Sequence, residues 1–173
     1  EVDTRMAADF SANDLKKYDL VVLHQLPSSK YLIQSVLDEI NKQQIPKIFL
    51  TGYQTDLYAF NKAQTLLNID YTGNRSPNEV TMIYNPGFNS FNTSEELRSK
   101  LGTFSPLLSP FGEYAASPSA QILAYQKIGQ VDTEFPLILM GEANDIRTCI
   151  IAGEGIWKWQ LYDQLQNGSK EIT

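Results

Sequence analysis

Apolar positions follow two rhythms along this chain, and the switching between them predicts its elements. Leu20-Val21-Val22-Leu23 and Lys47-Ile48-Phe49-Leu50-Thr51 are short apolar runs, the kind that forms strands buried on both faces of a parallel sheet. Between them Leu32, Ile33, Val36, Leu37 and Ile40 recur at helical spacing, with Asp38, Glu39 and Lys42 on the other side. That spacing predicts a helix capped by Ser28 or Ser29 and running to about Gln43. Past Gly52, a second helix is predicted from Leu57, Phe60, Ala63, Leu66 and Leu67, with Gln54 or Thr55 as its cap. The order is strand, helix, strand, helix, with both strands parallel and joined by a right-handed crossover.

The rhythm changes after Leu67. Asn68 to Asn78 is polar and rich in turn formers, Val80 to Tyr84 reads as a strand, and Asn85-Pro86-Gly87 stops it. Thr93-Ser94-Glu95-Glu96 has capping-box spacing and opens a helix to about Leu101. Ser105 to Ser119 holds three prolines and is read as an ordered loop crossing a sheet edge. Strands are expected over Ile122–Lys127, Leu137–Met140 and Cys149–Ala152, the last two joined by a hairpin through Glu142-Ala143-Asn144-Asp145. A final helix runs from Ile156 to about Gln166 and ends near Asn167-Gly168. Residues Glu1 to Asn13 are read as a strand and a loop. The whole is a three-layer α/β domain with a mostly parallel sheet and antiparallel extension strands.

Composition narrows the chemistry. The chain has 173 residues, enough for one domain with a full core, and no linker or repeat divides it. Its net charge of −6 and the absence of a basic block longer than Lys16-Lys17 speak against nucleic acid, whose binding depends on neutralised phosphates. No apolar run reaches the roughly 18 residues of a membrane span, so this domain is not expected to insert. One cysteine, Cys149, and one histidine, His24, leave no internal disulfide, no cysteine-based cluster and no multi-histidine metal site. No metal and no cofactor are therefore expected. The abrupt opening, Glu1-Val2-Asp3-Thr4, reads like the middle of a longer protein.

Ligands of open α/β sheets sit at the carboxyl ends of parallel strands. Three segments are predicted to converge there. They are His24-Gln25, the elbow Gly52-Tyr53-Gln54-Thr55, and Gly153-Glu154-Gly155 with Trp157 just beyond. A strand–turn–helix elbow is where many hydrolases mount a nucleophile, yet no Ser or Cys stands at this apex. Cys149 lies inside an apolar strand, where a thiol is usually a small core residue. His24 and Glu154 are the candidate acid and base. Each also has a plainer reading, as a strand-end residue and as part of a tight turn.

Several stretches resemble a known family: Tyr18 to Pro27, Asn78-Glu79-Val80, Tyr125 to Gly129 and above all Gly153-Glu154-Gly155-Ile156-Trp157-Lys158-Trp159-Gln160-Leu161. They are similar to the class I glutamine amidotransferase-like domain of large membrane-anchored bacterial proteins, often of Bacteroides-type organisms and often with a von Willebrand A-like region. The resemblance implies a flavodoxin-like fold, a cell-envelope parent, and partners in other regions of that parent or among envelope proteins. It also implies a catalytic cysteine at Tyr53 or Gln54 and a histidine near Glu154, and neither position carries one. The expected function is thus a non-catalytic amidotransferase-like module that binds a partner or small ligand at the C-terminal edge of its sheet. The alternatives are a hydrolase or transferase using His24 and Glu154, and a structural spacer.

Overall fold

The computed structural model describes residues 2–71, 73 and 76–167, with 162, 163 and 165–167 as backbone only. Its elements in chain order are β1 (Val21–His24), α1 (Gln34–Lys42), β2 (Lys47–Leu50), α2 (Leu57–Ala63), β3 (Leu67–Asp70) and β4 (Asn78–Tyr84). Next come α3 (Glu95–Leu101), β5 (Leu107–Ser109), β6 (Glu113–Ala116), β7 (Gln121–Ile128), β8 (Val131–Ala143), β9 (Ile146–Ile151) and α4 (Trp157–Asn167). Seven strands form one sheet in the order β1-β2-β9-β8-β7-β4-β5, and β3 pairs with β6 separately.

The sheet is mostly antiparallel, which overturns the expected three-layer, mostly parallel, flavodoxin-like and amidotransferase-like architecture. Among the described residues only β1 with β2 and β2 with β9 pair in parallel. The pairings β9–β8, β8–β7, β7–β4 and β4–β5 are antiparallel. The cause is local. A parallel pair needs a long crossover, whereas β8 and β9 are joined by Asn144-Asp145, both with positive φ (53° and 61°) as a tight hairpin requires. Gly129, at φ 60°, opens the two-residue turn from β7 into β8, in which it alone has a positive φ. The apolar run Leu137–Met140 marks only the middle of β8, whose polar first half, Val131 to Glu134, carries no strand signal.

Other boundaries moved for equally local reasons. Ser28 and Tyr31 exchange backbone hydrogen bonds at 2.9 and 3.0 Å, and Ile33 is left-handed (φ 51°), so α1 starts at Gln34 rather than after Ser28 or Ser29. The cap of α2 is Asp56, whose Oδ1 accepts from Ala59 N at 3.0 Å, not Gln54 or Thr55. Leu66 and Leu67 leave that helix because Gln64 turns the chain, its side chain bonding both their amides, and Leu67 opens β3. The loop expected over Ser105–Ser119 contains β5 and β6. The N-terminal segment forms a 3-10 helix over Ala12–Lys17, capped by Ser11, in place of a strand. The cap of α3 is Ser94, while Thr93 bonds Tyr84 and Arg98. Gly168, the expected stop of α4, lies outside the described residues.

Two apolar cores flank the sheet. Leu23, Phe49, Ile150 and Leu139 are register partners across β1, β2, β9 and β8 and form one buried row under α1 and α2. Phe49 meets Phe60 of α2 edge-on at 5.4 Å. The second core gathers Val80, Met82, Leu101 and Leu107 around Phe104 stacked on Trp159 at 5.4 Å. The antiparallel half closes on itself there. Leu108 of β5 and Glu154, just after β9, exchange backbone hydrogen bonds at 3.0 Å each. Among the described residues no helix is long and apolar enough to cross a membrane.

Candidate functional site

The parallel strands β1, β2 and β9 end side by side, with His24 opposite Leu50 and Leu50 opposite Ile151. Each of these strands gives way to a short polar segment, and the three segments meet at the elbow. Gln25 adopts a left-handed conformation (φ 54°), and its N–H donates to Leu50 O at 2.7 Å. Its side chain then turns over the neighbouring strand, where Oε1 accepts from Gln54 N at 2.9 Å. From the other side Glu154 Oε2 accepts from Tyr53 N at 3.0 Å. Inside the elbow Thr55 Oγ1 accepts from Gly52 N at 3.0 Å.

Each amide of Gly52, Tyr53 and Gln54 is therefore taken by a side chain of this chain. Those are the donors that a strand–helix elbow would otherwise turn toward an oxyanion. Gly52 leaves room for the Gln25 and Glu154 side chains to approach the backbone. A Cβ there would collide with the Glu154 carboxylate and stand 2.8 Å from Gln25 Cδ. Thr55 also bridges to Ser28, and Asp56 N donates to Pro27 O at 3.0 Å, so the elbow is braced against the segment after β1.

The sequence-predicted residues are placed unequally. Gln25, Gly52, Tyr53, Gln54, Thr55 and Glu154 come together in one hydrogen-bonded cluster. His24 lies beside it but is exposed, on the sheet face opposite buried Leu23, and bonds neither Gln54 nor Glu154. Gly153 is buried against β5, where a Cβ would sit 3.0 Å from Leu107 Cβ. Gly155 takes a φ of 109° to turn the chain into α4. Trp157, on the first turn of α4, is 65 % exposed, and Tyr53, at the elbow apex, is 72 % exposed. Leu108 was missed. Its pairing with Glu154 depends on a strand that three prolines disguised as loop.

The chain's one cysteine stands inside β9, not at the elbow. Cys149 pairs with Ile48 and Met140 in the sheet, and burial pushes its thiol up to about 11, away from the thiolate a nucleophile needs. Among the described residues no cluster of three His, Cys, Asp or Glu side chains could hold a metal ion.

No protein-family model and no curated protein matches this chain. Solved structures do. The cytoplasmic protein STM3548 of Salmonella typhimurium is similar over 90 % of this chain and 68 % of its own, at 14 % identity and a TM-score of 0.53. The cytoplasmic protein STM1381 of Salmonella typhimurium LT2 is similar over 92 % of this chain and 70 % of its own, at 17 % identity and a TM-score of 0.52. At such identities the likeness is one of fold alone.

Proposed function

We propose that this chain is a non-catalytic binding module, which presents the C-terminal ends of its three parallel strands to a partner protein or a small ligand. The observation that carries this reading is the occupied elbow, in which Gln25, Thr55 and Glu154 consume the three backbone donors that catalysis would use. The cluster offers outward a rigid loop bearing an exposed tyrosine, with an exposed tryptophan on the helix just after Glu154. Aromatic side chains on a braced backbone suit recognition, because they contribute large contact area with few torsions to freeze. The cell-envelope parent, and partners within it, belong to the same reading and rest on the resemblance of the Gly153–Leu161 segment. The sequence flanking this chain in its gene tests that part.

Two measurements test the module itself. Purified chain incubated with amide and ester substrates is expected to show no turnover above buffer. Turnover that disappears in both His24→Ala and Glu154→Ala would overturn the reading. Thermal shifts against amides, sugars and metal ions are expected to register a ligand whose effect is lost in Tyr53→Ala, since a ligand that binds only the folded state raises its stability.

A further inference from the structure

At the opposite end of the parallel strands, away from the elbow, lies a cavity of about 230 Å³. Asn41 at the end of α1, Lys47, Thr148, and Lys62, Gln64 and Thr65 around the end of α2 line it. Its lining holds two lysines and no aspartate or glutamate. That is unusual in a chain of net charge −6.

Lys47 is the centre of the case. It is the first residue of β2 and only 5 % exposed, yet no carboxylate pairs with it among the described residues. Its Nζ donates to one partner, Asn41 Oδ1, at 2.6 Å. Buried ammonium groups are ordinarily paired with an anion or stripped of their proton, because an uncompensated charge is costly away from water. Burial indeed lowers the pKa of Lys47, the direction expected where the counter-charge is absent.

The neighbours supply further donors. Thr148 is the register partner of Lys47 on β9, so the two side chains stand next to each other on one face, and Thr148 is itself 5 % exposed. Asn41 spends its carbonyl on Lys47, and its side-chain amide N–H groups meet no acceptor among the described residues. Lys62 stands at the rim, held by Tyr58, whose hydroxyl it reaches at 2.6 Å. Gln64 takes no part, since it is committed to the backbone of Phe60, Leu66 and Leu67.

We infer that this cavity binds a small oxyanion, a phosphate or a carboxylate group, with Lys47 as its buried counter-charge, Thr148 and Asn41 as hydrogen-bond donors, and Lys62 at the mouth. The ligand would supply the one interaction that Lys47 lacks, and the cavity volume limits it to a few heavy atoms or to the charged end of something longer. This site is independent of the elbow and of the function proposed for it.

The test is an NMR titration of the full chain with sodium phosphate and, separately, with sodium acetate, each against sodium chloride at equal ionic strength. Saturable shifts of the Asn41, Asn144 and Thr148 amides are expected with at least one of the two oxyanions, and at least tenfold weaker binding in Lys47→Met. Response to phosphate alone assigns a phosphoryl ligand, and response to acetate a carboxylate. If Lys47→Met does not fold, Lys62→Met and Thr148→Val carry the comparison, each expected to weaken binding several-fold. A response no different from chloride overturns the inference, as does an affinity unchanged by these substitutions. Lys47 would then serve only as a donor to the Asn41 side chain.

Discussion

Tyr53 donates its backbone N–H to Glu154 Oε2 at 3.0 Å, joining the elbow after β2 to the segment after β9 across 101 residues of sequence. The same Glu154 is pinned through its backbone to Leu108 of β5. One residue thus connects the parallel edge of the sheet with the strand that closes its antiparallel half. A hydrogen bond accepted by a carboxylate contributes about 1 kcal/mol or somewhat more, less where water competes. Glu154→Ala is expected to lower the unfolding free energy by about 1 kcal/mol, read by urea denaturation, with Glu154→Gln recovering part of it.

Gly52→Ala should act through the same contact. Its methyl group would meet the Glu154 carboxylate and the Gln25 amide, the mobile ends of two side chains, so the clash is relieved by giving up both hydrogen bonds. The expected cost is about 1–2 kcal/mol. The double variant Gly52→Ala/Glu154→Ala should cost less than the sum of the two single changes, because the Tyr53–Glu154 bond can be lost only once. Strict additivity in that cycle would mean that the collision does not occur.

Gly153→Ala is a different case. Leu107 Cβ at 3.0 Å and Leu107 Cδ1 at 3.3 Å belong to a buried strand that cannot swing aside. Overpacking of this kind costs about 1–3 kcal/mol. The loss should exceed that of Gly52→Ala and should free the Leu108 amide, seen as faster hydrogen exchange at Leu108 and Glu154.

Cys149 should be a slow thiol. Burial raises its pKa to about 11 from an ordinary value of 9, so at pH 8 the folded protein holds roughly 100-fold less thiolate than the unfolded chain. Alkylation by iodoacetamide at that pH is expected to be slower by about that factor and to accelerate on adding urea. The neutral thiol favours the folded state fully below pH 9, and that contribution is lost as the pH rises from 9 through 11. Cys149→Ala should remove this part of the alkaline destabilisation, leaving that of Tyr114, which burial pushes up to about 12.

His24→Ala is expected to change stability by less than about 0.5 kcal/mol, since the side chain is exposed and makes no hydrogen bond among the described residues. A larger loss in thermal denaturation would reveal a partner that the geometry does not contain.

Apolar runs and helical spacing determined β1, α1, β2, α2 and their parallel pairing, because a continuous apolar stretch is legible one residue at a time. The expected burial on both faces fails at β1, where Leu23 enters the core while Val22, on the other face, is exposed at the sheet edge. The turn chemistry of Asn144-Asp145 likewise declared its hairpin, and the polar segments after β1, β2 and β9 declared where a cluster would assemble. Tertiary structure alone decided the rest. The first half of β8 is a strand because β7 lies beside it, and β5 is one because β4 and Glu154 flank it, so hydrogen bonds from distant residues stand in for a pattern the segments lack. The same holds at the elbow. Which donors are spent there depends on Gln25 and Glu154 arriving from strands far apart in sequence, and no local rhythm records that meeting.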